Sequence, residues 1–138
     1  MTGFQIKTKD ISLIRFSYYL NEAPATSSAF NAALPFARAF MHARVSGQEI
    51  WIDNAPELDI IQENSSVFMS AAEVSIGPLK PARNRVGKCM GNMYGEGPLL
   101  DCSNIFAKVW DEDRELLKAL GESIWKQGVQ ELVFEALG

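Results

Sequence analysis

Histidine occurs once in this 138-residue chain, at position 42, and cysteine only twice, at positions 89 and 102. A single histidine leaves a Ser-His-Asp or Cys-His hydrolase one position for its base, and no nucleophile motif accompanies it. The cysteine separation matches no compact metal-ligand spacing, so a zinc site with His42 is set aside and no cofactor is expected. Basic residues are outnumbered, 13 Lys plus Arg against 17 Asp plus Glu, which leaves a net charge of −4. Nucleic acid and anionic membrane surfaces are therefore not expected as partners, since both need a broad positive field. No apolar run approaches the roughly 20 residues that span a bilayer. Residues Met1 to Asp10 lack the apolar core of a signal peptide, so two free thiols in a reducing cytoplasm are expected. Repeats, low-complexity tracts and linkers are missing too, and one domain over residues 1–138 follows.

What is present is alternation. Ile11 to Leu20 reads as the first strand, with Ile14, Phe16, Tyr18 and Leu20 on one face. Pro24 suits a first helical turn, Ala29, Phe30, Ala33 and Leu34 follow at helical spacing, and Pro35 stops the helix. Phe36 to Val45 sorts Ala37, Ala39, Met41, Ala43 and Val45 onto one face and Phe36, Arg38, Phe40, His42 and Arg44 onto the other. Ser46 and Gly47 turn the chain into a second hairpin strand, Gln48 to Asp53, with Glu49 and Trp51 opposite Ile50 and Ile52. The latter part of Val67 to Ile76 predicts a strand ended by Gly77 and Pro78, and Gly77 to Arg85 a surface loop. Gly87 to Tyr94 and Asn104 to Trp110 read as two more strands that pair across the intervening loop. Asp111 or Asp113 is positioned to cap a helix to about Gln127, with Leu116, Leu117, Leu120 and Ile124 as its stripe and Gly128 as its stop. Val129 to Leu137 closes the order as a strand.

This order predicts a mainly β fold, a closed antiparallel β-barrel with two capping helices, in which the first and last strands pair and no edge is left exposed. The stretch Asn21 to Pro35, an acidic turn followed by Pro24-x-Thr26-x-x-x-Phe30, resembles the first helix of the cyclophilin fold. With Gly47 to Ile52 and Ala72 to Pro78, the chain from Ile11 onward is similar to a bacterial cyclophilin-like family of unknown function. That resemblance implies a small barrel and no established activity. The isomerase members carry Phe-His-Arg-Val and Gln-Gly-Gly-Asp motifs. Here Phe40-Met41-His42-Ala43-Arg44-Val45 has changed spacing and the second motif is missing, so their catalytic residues do not carry over.

The main candidate site is the strand face bearing Arg38, Phe40, His42 and Arg44, where arginine forks would bind a small carboxylate or phosphate. The alternative is a solvated outer face on which Glu49 neutralises an arginine across the hairpin. A second reading is prolyl isomerisation of a Pro-containing peptide by Arg38 or Arg44 with Phe40, Met90 and Tyr94; for Met90, Met93 and Tyr94 the plainer reading is packing. Cys89 and Cys102 read as small packed residues, and the glycines from Gly87 to Gly97 as turn or bulge positions rather than a nucleotide loop. Lys80, Arg83, Arg85 and Lys88 make the neighbouring loop locally basic. A third reading is a homo-oligomeric interaction subunit, joined through an exposed strand or the Trp125 end of the last helix.

Overall fold

Period-two alternation gives each strand one apolar face, and curling the sheet encloses those faces together. The computed structural model describes residues 1–10, 12–79, 85–95 and 97–137. In chain order these form β1 (Gly3–Lys7), β2 (Leu13–Tyr18), α1 (Pro24–Ala33), β3 (Phe36–His42), β4 (Glu49–Ile52), β5 (Ser65–Met69), β6 (Glu73–Ile76), β7 (Met90–Met93), β8 (Gly97–Val109), α2 (Arg114–Gln127) and β9 (Gln130–Ala136), with a 3-10 turn at Asp111–Asp113 before α2. Eight strands run β2-β1-β9-β3-β4-β7-β6-β8, and β8 returns to β2 to close an antiparallel barrel. The expected cyclophilin-like architecture is therefore present. β5 lies outside the ring, on β8, and exposes Val67 and Phe68.

Six phenylalanines fill the interior: Phe4, Phe16, Phe30, Phe40, Phe106 and Phe134. Phe4 stacks on Phe16 at 4.7 Å between centroids, and Phe30 of α1 lies 4.9 Å from Phe4 and 4.8 Å from Phe106. Such pairs add about 0.5–1.5 kcal/mol each beyond burial. α2 packs on β3 and β4 and contributes Leu117, Leu120 and Ile124 to the same core. Among the described residues, no helix is long and apolar enough to cross a membrane.

Several expectations are corrected. Ile11 to Leu20 supplies the second strand, not the first: β1 precedes it and pairs with β2 on one side and β9 on the other. Only Phe4 and Ile6 mark its inner face, too short a pattern to stand out. The latter part of Val67 to Ile76 is the expected strand, β6, but the start of that segment belongs to a further strand, β5, and the two meet different stretches of β8. β8 is one 13-residue strand, because the Gly97-Pro98 pair opens it against the edge strand β5, where proline loses no ladder bond that matters. β7 and β8 do not pair; both flank β6. Leu116 and Leu20 are exposed rather than core-facing.

The side-chain cap expected at the start of α2 is not made. The Asp113 carboxylate instead accepts from the Arg15 amide at 2.8 Å and from its guanidinium at 2.8 and 2.9 Å. The first amides of α1, at Ala25 and Thr26, donate to Glu63 from the distant loop at 3.2 and 2.8 Å. Gly128, at φ 97°, ends α2 as expected.

Candidate functional site

β3 ends at His42, three residues short of the expected strand, so Ala43, Arg44 and Val45 belong to the hairpin loop. The row of Arg38, His42 and Arg44 is not assembled. Phe40 is fully buried in the barrel, and that face of β3 is thus the inner one. Arg38 shares it, but β3 and β4 pair only at Met41–Trp51 and His42–Ile50. Beyond them the strands part, and Arg38 Nε donates to the Asn54 carbonyl at 2.9 Å. The His42 ring is committed at both nitrogens, 2.8 Å from the Ala43 carbonyl and 2.6 Å from the Tyr94 hydroxyl. A carbonyl can only accept, so Nδ1 donates to it, and in the neutral ring Nε2 accepts from Tyr94. The ring of Trp125 meets His42 edge-on at 4.7 Å while remaining 63% exposed.

The cavity lies on the opposite, outer face of the sheet. About 470 Å³ in volume, it is lined by Met41 to Ser46, by Glu49 and Trp51 of β4 and Asp53 just beyond it, and by Ser75, Cys89, Met90 and Gly91. Leu99, Leu100 and Ser103 of β8 complete the wall with Val86. Of the seven residues singled out in the sequence, His42, Arg44, Glu49 and Met90 line it. Phe40 lies in the core, while Arg38 and Tyr94 are outside the lining. Of the groups an isomerase would combine, Arg38 or Arg44 with Phe40, Met90 and Tyr94, this surface includes Arg44 and Met90 but not Arg38, Phe40 or Tyr94. Lys80 and Arg83 of the basic loop lie outside the described residues, whereas Arg85 holds the Leu100 carbonyl at 2.8 Å.

Glu49 is the unusual group. It is 7% exposed, and its Oε1 accepts the Ser46 hydroxyl. It does not neutralise an arginine: among the described residues it makes no ion pair. Burial pushes its carboxyl above the ordinary range, and the Ser46 hydrogen bond only partly offsets this. Gly91 makes room for it, since a Cβ there would fall on Glu49 Oε2. The Cys89 thiol is pushed up by burial first, then by the charges of Asp53 and Glu49.

Trp51, Asp53 and Gly91 were not singled out as site residues. A usable signal existed: Glu49, Trp51 and Asp53 alternate along one strand face, and a glycine inside a strand marks close approach.

Among solved structures, McbB in complex with tryptophan matches over 98% of this chain with a TM-score of 0.72 and 16% identity. This chain spans less than half of McbB, 45% of its length. The hypothetical protein AF2241 from Archaeoglobus fulgidus matches over 99% of this chain and 95% of its own, with a TM-score of 0.64 and 16% identity. At this identity the likeness establishes the fold. No curated protein matches the sequence significantly. Residues 6–135 match the family described as "Protein of unknown function (DUF3830)", and the chain belongs to that family.

Proposed function

We propose that this protein binds a small organic molecule in the outer cavity, with an anionic group, carboxylate or phosphate, met by Arg44 at the mouth. One observation supports the reading: an apolar-walled cavity of about 470 Å³ carries a buried carboxyl in its floor and an exposed arginine at its edge. Binding sites commonly combine such a volume with apolar walls and a few converging polar groups. The ligand body would pack against Trp51, Leu99 and Leu100.

Thermal shift with 3-phenylpropionate and phenyl phosphate tests it, because a ligand selective for the folded state raises its melting temperature. The expected result is a rise in the wild type and in Arg38→Ala that is lost in Arg44→Ala. A wild type unmoved by either probe, or a rise undiminished in Arg44→Ala, overturns the reading.

A further inference from the structure

We propose that one wall of this cavity is an ammonium site, in which Glu49 and Trp51 of β4, with Asp53 just beyond the strand, receive a protonated primary amine. The inference deepens the preceding reading and rests on it, in that it takes the cavity to be a ligand site.

Strand geometry brings two of the side chains together: Glu49 and Trp51, two apart on β4, point the same way about 6.6 Å apart, and Asp53 follows just beyond the end of the strand. All three line the cavity. Glu49 is more than nine-tenths buried, and among the described residues only Ser46 donates to it, on one oxygen. Neither Glu49 nor Asp53 has a cationic partner among the described residues. A buried carboxyl in apolar surroundings is costly without a partner, and a cation delivered by a ligand supplies one.

The second oxygen of Glu49 lies over Gly91, on the only stretch of β7 without a side chain. The backbone there leaves the space that the carboxyl occupies. Arg44 stands in the exposed loop, and among the described residues it makes no ion pair with Glu49. Trp51 adds the ring that most favours an organic cation within about 6 Å.

The cation is organic rather than metallic. Hard divalent ions take six or more oxygen ligands, and the described residues contain no cluster of three or more His, Cys, Asp or Glu able to hold one. Two carboxylates and an indole lining one cavity suit an alkylammonium with an apolar body. Combined with Arg44 at the mouth, the preferred ligand class is a small amine whose far end is anionic.

Isothermal titration with three probes of one shape tests the inference: phenethylamine, its neutral isostere 2-phenylethanol, and 3-phenylpropionate. The amine is expected to bind wild type about tenfold more tightly than the alcohol, and to lose about that factor in Glu49→Gln. Asp53→Asn, at an exposed position where folding is not at stake, is expected to weaken the amine about threefold and leave the alcohol unchanged. Amine and alcohol binding equally to wild type overturns the inference, as does amine affinity unchanged in both variants. If 3-phenylpropionate binds in an Arg44-dependent way while the amine gains nothing, the ammonium site falls and the anion reading stands. If none of the three binds, both fall.

Discussion

Glu49 and Asp113 are both buried carboxyls next to strand residues, yet their surroundings push them in opposite directions. Hydrogen bonding from the Arg15 side chain outweighs burial at Asp113 and holds its carboxyl below the ordinary range. The stability this lends is complete above the unfolded carboxylate pKa near 4 and is lost as pH falls through the lower folded value. Asp113→Asn is expected to cost about 1–3 kcal/mol at pH 7, with wild type and variant converging at strongly acidic pH in urea unfolding. Glu49 works the other way. Its raised value makes the folded state bind the extra proton, so stability falls as pH rises from the ordinary range through the folded value. Glu49→Gln is expected to melt higher than wild type at pH 8 and to lose that advantage near pH 4. An advantage of equal size at both pH values would show that burial of the charge is not its cause. His42, the residue most conspicuous in the sequence, is the opposite case: its two nitrogens are spoken for by Ala43 and Tyr94.

At the scale of elements, propensity and packing compete. Alanine is favoured over glycine inside a helix by up to about 1 kcal/mol. In α2, however, a Cβ at Gly121 would enter the Tyr94 ring. Gly121→Ala is therefore expected to lose about 1–3 kcal/mol in chemical denaturation, since overpacking exceeds the propensity gain. A variant as stable as wild type would mean that Tyr94 moves aside freely. The helix limits themselves were legible, because Pro24, Pro35 and Gly128 act locally. The groups satisfying the helix starts were not. Glu63 and Thr26 are far apart in sequence, and Asn104 brings that loop to α1 by donating to Thr26 and to the Ile61 carbonyl while accepting from the Glu63 amide. Strand lengths were misjudged for a related reason: β3 stops where β4 begins to pair with it for only two positions, a property of the pair rather than of either segment.

For the whole molecule, the aromatic interior joins the helix to the barrel. Phe30 reaches Phe4, Phe106, Tyr18, Phe36 and Phe134 and is fully buried. Phe30→Ala is expected to cost about 3–5 kcal/mol, measured by denaturant titration. A loss below about 1 kcal/mol would mean that α1 is peripheral to the core rather than part of it.

The residues of β2, β3, β4 and β9 state their own two faces, and the prolines and glycines state where the helices begin and end, because pleat and backbone dihedral are local properties. That much the sequence by itself determined, together with a mainly β chain having two helices. Which face is enclosed was decided only when β8 returned to β2 and curved the sheet around the phenylalanines. Closure turned Phe40 inward and left Glu49, Trp51 and Asp53 on the outside, where β8 and the hairpin loop build a wall over them. A pocket is a relation among segments distant in the chain, and alternation within one strand contains no information about its neighbours.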